Sequence, residues 1–194
     1  MKSVVIIPAR YNSSRLPGKP LVRLIDRPMI IWVAELSEVA VGKENVYVAT
    51  DDIIIADIVT QEGFNVIMTS GDCLTGTDRV AEAANQIEAD IYINVQGDEP
   101  LVNPEDIIKI IKAKEKHYDE IINGYCQLAV NEDPNNINIP KVIFNQSKSL
   151  VYISRLATPG FKNKNQMPKY YKQVCIYAFN KKELNTFLTF KEKT

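Results

Sequence analysis

Histidine is nearly absent from this 194-residue sequence; His117 is the single one. It follows a lysine-rich stretch, away from the loops of chemical interest, and reads as a surface residue, so a Ser-His-Asp triad is excluded. Cysteine is scarce too. Cys73, Cys126 and Cys175 are odd in number and widely spaced, which excludes the close pairs of a zinc site or a disulfide framework and leaves reduced thiols. Neither sign of charge dominates: 23 Lys+Arg against 24 Asp+Glu give a formal net charge of −1. No broad basic surface is available for nucleic acid, and phosphate recognition must be local. No apolar run approaches the ~18 residues of a membrane helix. The first residues carry neither a cationic lead nor a small-residue cleavage site, so the expected location is the cytoplasm. A phosphate loop of the G-x-x-x-x-G-K-[ST] type is also missing.

What is present is a chain that is 45% hydrophobic, enough for a substantial core. Its opening stretch is the most informative. Val4-Val5-Ile6-Ile7 is an apolar run of strand length that stops at Pro8. It opens into a loop with three cations, Arg10, Arg15 and Lys19, and two prolines flanking Gly18-Lys19. At the carboxyl end of a buried strand, such a loop can present backbone N–H groups and cations to a polyanion. Each charge-assisted bond to a phosphate oxygen is worth roughly 1.5–3 kcal/mol when well placed. A solvated surface loop with ordinary charges is the alternative.

Along the chain, a helix is expected from Pro28 to about Val39, with Pro28 as its first residue. A strand follows at Asn45–Thr50, and Asp51-Asp52 caps a helix over Ile53–Glu62 that Gly63 ends. Val66–Met68 reads as a strand, Asp78–Ile87 as a helix, Ile91–Val95 as a strand, and Pro104–Lys114 as a helix. This alternation points to parallel strands joined by crossover helices. From Ile121 the pattern changes. Val142–Phe144 and Leu150–Ile153 flank a five-residue turn and read as a hairpin, and Phe161–Lys169 as an exposed loop. Val174–Phe179 then returns as a strand and Lys181–Phe190 as a helix.

Two further segments suggest chemistry. Gln96-Gly97-Asp98 follows a buried strand, where a carboxylate can meet magnesium held by phosphate oxygens; a turn aspartate is the simpler reading. Thr75-Gly76-Thr77-Asp78-Arg79 follows a strand and opens a helix, so its small residues allow a base to lie against backbone amides; a plain N-cap is the simpler reading.

Together these segments carry a family signature. The residues are Val4 to Tyr11 with Ser14 to Pro20, then Val48-Ala49-Thr50-Asp51, Gly76-Thr77-Asp78-Arg79, and Asn94 to Pro100. The chain resembles the 3-deoxy-manno-octulosonate cytidylyltransferases, or CMP-KDO synthetases, over a match running to about Phe179. Sialic-acid cytidylyltransferases are similar but more distant. The resemblance implies a Rossmann-like nucleotidyltransferase fold, a mostly parallel α/β sheet with flanking helices and a β-hairpin dimerisation arm at about 138–170, all in one domain. It implies CTP and an acidic sugar as substrates, Mg²⁺ as cofactor, and a homodimer.

By position, the resemblance gives Arg10 and Lys19 to the triphosphate, with Pro8, Ala9, Thr75, Gly76 and Gln96 bordering the nucleotide. Asp98 is the implied metal ligand, and Arg10, Lys19 and Asp98 form the catalytic set. Arg15, Arg155, Gln173 and Tyr177 fall at sugar-side positions; an arginine suits a sugar carboxylate because its planar fork binds both oxygens. Gln173 stands where KDO-type members have histidine and Cys175 where they have glycine, which leaves the sugar open between KDO, its 8-amino relative and a sialic-type acid. Family members continue past the position of Thr194, through a helix and a loop bearing a second metal-binding aspartate. A noncatalytic nucleotide-binding dimerisation module is therefore the second expectation.

Overall fold

The computed structural model describes residues 1–12, 16–163 and 168–190. It divides into two compact units, one made of Met1–Ile122 with Ile176–Thr194, the other of Asn123–Cys175.

The first unit is built on β1 (Ser3–Ala9), whose Val4, Val5, Ile6 and Ile7 are all fully buried. Burying each such side chain contributes about 1.5–3 kcal/mol relative to leaving it in water, so this run is bound to become the central strand. The chain then makes a two-residue ribbon, β2 (Arg23–Leu24) and β3 (Arg27–Pro28), and enters α1 (Met29–Val41). Pro28 is the N-cap of α1 and lies in β3, so the helix begins at Met29, one residue later than expected, because the proline's N–H-free nitrogen suits the ribbon edge. The next elements are β4 (Val46–Thr50), α2 (Ile53–Gln61), β5 (Asn65–Met68), α3 (Gly76–Ala84), β6 (Ile91–Val95) and α4 (Pro104–Lys116). Asp52 caps α2, its carboxylate accepting the N–H groups of Ile54 and Ile55.

The sheet order is β5-β4-β1-β6, with all neighbours parallel. The residues Ile176–Phe179 of β10 (Tyr171–Phe179) close it antiparallel to β6. α3 and α5 (Lys181–Thr189) cover the face that presents Val4, Ile6, Tyr92 and Phe179. The chain leaves β1 for β4 on one side and reaches β6 on the other. The carboxyl ends of β1 and β6 are therefore the point where the winding reverses, and a doubly wound sheet opens its crevice there.

A buried ion pair joins α4 to α5. Lys114, with no solvent exposure, donates from Nζ to both carboxylate oxygens of Glu183 at 2.7 Å and to the Glu120 carbonyl at 2.7 Å. Glu183 also accepts the Asn180 N–H at 2.8 Å, so one carboxylate completes the capping box of Asn180 at the start of α5 and neutralises the lysine.

The second unit contains β7 (Ile122–Gln127) from Asn123 on, β8 (Lys141–Phe144), β9 (Leu150–Ser154) and the Tyr171–Cys175 half of β10. β8 and β9 form the antiparallel hairpin expected from the sequence. Tyr125, Phe144 and Tyr171 make a small aromatic cluster with centroids 4.6–5.8 Å apart. β9 lies at the sheet edge and exposes Val151 (63%) and Tyr152 (62%). Part of the expected Phe161–Lys169 loop, residues 164–167, lies outside the described residues.

Candidate active site

β1 and β6 are adjacent and parallel, so the residues that continue them emerge side by side. Pro8-Ala9-Arg10 comes from the first, and Gln96-Gly97-Asp98 from the second. Gly97 makes this convergence possible, since a Cβ there would lie 3.0 Å from the Pro8 carbonyl oxygen and 3.2 Å from Ile30 Cδ1. The N-terminus of α3 arrives from the third side, and a Cβ on Gly76 would meet Pro8 Cγ at 3.3 Å. The cleft between them has a volume of about 390 Å³. Pro8, Ala9, Arg10 and Lys19 line it, as do Thr75, Gly76, Gln96 and Asp98, so all the residues expected at the nucleotide converge.

The electrostatics suit a polyanion. Arg10, Lys19 and Arg79 line the cavity against a single carboxylate, Asp98. Lys19 Nζ pairs with Asp98 Oδ2, both side chains being partly exposed. Arg10 is exposed and makes no ion pair among the described residues. Thr75 caps α3 in a reciprocal box: its Oγ1 accepts the Asp78 N–H at 3.2 Å, and Asp78 Oδ2 accepts the Thr75 N–H at 2.8 Å. The N-cap reading of this segment is thus correct, and it is compatible with a ligand site because the first helical turn still leaves N–H groups without intrahelical acceptors. Gln96 Nε2 donates to Asn94 Oδ1 at 3.4 Å, tying the cavity floor to β6.

Arg79, which the sequence offered only as the end of the Thr75–Arg79 segment and with no role of its own, also lines the cavity. It is 3% exposed, donates from Nη1 to Thr69 Oγ1, and holds Asp51 Oδ1 at 3.3 Å from Nη2. A signal did exist, since Arg79 is four positions after the cap Thr75 and therefore shares its helix face. Cys73 also lines the cavity and donates from Sγ to Glu82 Oε2 at 3.2 Å. Burial first, then that carboxylate, push its thiol up to about 12.

The remaining expected positions are distributed differently. Arg15 lies outside the described residues. Tyr177 sits on β10 directly across from Asn94 of β6 and stacks on Phe179, with centroids 6.2 Å apart. Arg155 and Gln173 belong to the second unit, where Gln173 Nε2 donates to Asn123 Oδ1 at 3.1 Å. A larger hollow of about 550 Å³ near Trp32 and Leu101 is almost wholly apolar and offers nothing to orient a phosphate. His117 is a half-exposed surface residue paired with Glu120, as expected.

A doubly wound sheet with a cationic cavity and one carboxylate at its switch point defines a Rossmann-like nucleotidyltransferase. The chain belongs to the cytidylyltransferase family, whose model matches residues 4–193. It is 36% identical over 195 residues to an 8-amino-3,8-dideoxy-manno-octulosonate cytidylyltransferase of Shewanella pealeana, a match covering 96% of this chain and 78% of the relative. It is 40% identical over 181 residues to a 3-deoxy-manno-octulosonate cytidylyltransferase of Acaryochloris marina, covering 92% and 74%. Among solved structures it is similar to CMP:2-keto-3-deoxy-manno-octonic acid synthetase complexed with CTP, with a TM-score of 0.91 at 35% identity, covering all of this chain and 80% of the other.

Proposed function

We propose that this chain transfers the cytidylyl group of CTP to a 3-deoxy-ulosonic acid, KDO or its 8-amino relative, giving the CMP-sugar and pyrophosphate for lipopolysaccharide or capsule synthesis. The observation that carries this reading is the convergence of Arg10, Lys19 and Asp98 on one cavity at the β1–β6 switch point. The sugar's anomeric C2 hydroxyl attacks the α-phosphorus and a new P–O bond forms. The bond to the bridging oxygen breaks, pyrophosphate leaves with the electron pair, and the hydroxyl proton passes to solvent.

Little covalent work falls to the protein in such a transfer; positioning and charge neutralisation carry the barrier reduction. Arg10 and Lys19 hold the triphosphate and offset the charge on the departing pyrophosphate. Ala9, Thr75, Gly76 and Gln96 border the nucleoside. Among the described residues no group of three or more His, Cys, Asp or Glu could cage a metal. A lone Asp98 suits Mg²⁺, which commonly takes one or two protein carboxylates and fills its remaining positions with phosphate oxygens and water. When bound, the ion neutralises phosphate charge. Asp98 would hold the ion through its carboxylate in place of its pairing with Lys19, leaving that lysine to the phosphates.

The sugar carboxylate is assigned to the arginines of the sugar side, Arg15 and Arg155, with Gln173 and Tyr177 reading its hydroxyls. The exposed apolar edge strand β9 supports a homodimer, since an unpaired edge of this kind is a template for a second chain. The cytoplasm, where CTP is made, is the proposed compartment. The test is pyrophosphate release with CTP, Mg²⁺ and a panel of KDO, 8-amino-KDO and a sialic acid. Release with one of the two KDO acids supports the proposal; CTP binding without turnover on any acid would make the chain a nucleotide-binding module instead.

A further inference from the structure

Lysine 141 is the first residue of β8 and is fully buried, yet among the described residues it contacts no carboxylate. Its Nζ donates to two main-chain carbonyls, that of Asn136 at 2.9 Å and that of Arg155 at 2.7 Å. The first lies in the loop before β8, and the second just after β9. Arg155 in turn donates from Nη1 to the Ile137 carbonyl at 2.9 Å. Two cations and three main-chain carbonyls, those of Asn136, Ile137 and Arg155, are thus linked: Lys141 holds the main chain of Arg155, and Ile137, the neighbour of Asn136, holds its guanidinium.

Burying an ammonium is costly, and an apolar side chain would fill the same volume without that cost. Burial holds Lys141 below the usual lysine range, with the Asp133 carboxylate opposing and the Arg155 guanidinium adding to it. What an apolar side chain cannot do is donate to two carbonyls at once and fix the spacing between their loops. The loop it fixes carries an exposed guanidinium with five donors, one of them engaged with Ile137.

We propose that Lys141 is a positioning residue for the sugar side of the reaction: it ties Asn136 to Arg155 and thereby aims the Arg155 guanidinium at the carboxylate of the acidic sugar. The inference rests on the reading of Arg155 as a sugar-binding side chain.

The test is Lys141→Met in the full chain, with the KM values for KDO and CTP, calorimetric affinity for KDO in the presence of a non-hydrolysable CTP analogue, and the melting temperature. Misaiming one charge-assisted contact raises the KDO KM and weakens KDO binding about tenfold or more, while the CTP KM stays within about twofold. Arg155→Ala has a similar effect, and the double variant is no worse than Arg155→Ala alone, because both act through one contact. Lys141→Gln keeps a neutral donor and recovers part of the loss. An unchanged KDO KM in Lys141→Met, or equal losses for KDO and CTP, overturns the inference while Arg155→Ala still shows its effect. A normal KDO KM in Arg155→Ala overturns the sugar-side reading itself. Failure of both Lys141 variants to fold makes the lysine structural and overturns the positioning role.

Discussion

Replacing Asp98 by asparagine separates its pairing with Lys19 from its proposed role as magnesium ligand. The carboxylate pairs with Lys19, and both side chains are exposed by a third or more, at 44% and 35%. Ion pairs exposed to this degree contribute about 0.2–1 kcal/mol. Stability should therefore change little: at about 2–4 °C per kcal/mol for a domain of this size, the melting temperature moves by less than about 4 °C. Binding should respond in two opposite ways. Without magnesium, Asp98 competes with phosphate for Lys19, so Asp98→Asn binds CTP up to about fivefold tighter than the native chain, the factor that 1 kcal/mol corresponds to. With magnesium, the native chain gains affinity and the variant does not, and pyrophosphate release falls at least about a hundredfold, as expected on losing one electrostatic element of a transition-state site. Titration calorimetry with and without Mg²⁺, beside a pyrophosphate assay, reads both arms. A variant that keeps its magnesium-dependent gain and its turnover refutes the metal role of Asp98. Weaker magnesium-free CTP binding refutes the competition for Lys19.

Two further outcomes follow from the same cavity. Gly97→Ala places a methyl 3.0 Å from the Pro8 carbonyl oxygen and pushes the ends of β1 and β6 apart; overpacking of this kind costs about 1–3 kcal/mol, so scanning calorimetry should show a melting temperature lower by about 2–12 °C together with weaker CTP binding. Cys73, with its thiol pushed up to about 12, is almost wholly protonated at pH 8. Its thiolate fraction there is about a thousandfold below that of an unperturbed thiol, so iodoacetamide should label exposed Cys126 and spare Cys73, and Glu82→Gln should lower the pKa and speed labelling of Cys73 by mass spectrometry.

The parts of the fold legible in the sequence are those that depend on neighbours along the chain. Val4 to Ile7 announce a central strand by composition, Asp52 and Thr75 announce helix starts by their capping chemistry, and the alternation of strand and helix announces the parallel sheet. β7 was not legible, because Ile122-Asn123-Gly124 lacks apolar alternation and its last three residues are exposed. The β2–β3 ribbon was hidden for a different reason: its turn places Ile25 at φ 62, a conformation β-branched residues seldom adopt. Of the site, the two strand-end loops were legible because strand, turn and charge follow one another directly. Arg79 was not, since its partners Thr69 and Asp51 are brought to it only by folding. Buried lysines are the hardest, as the default for Lys114 or Lys141 is the surface.

The Lys114–Glu183 pair bears on how this chain can change over generations. Losing either partner alone strands a charge in the interior at about 3–5 kcal/mol, a large share of a typical domain's stability. Loss of Glu183 also removes one half of the capping box that starts α5. Replacing both by apolar side chains of similar volume can be neutral. Single steps therefore cross a deep valley whereas the double step does not, and in a set of related sequences positions 114 and 183 should change together, retaining lysine with glutamate or exchanging both for apolar residues.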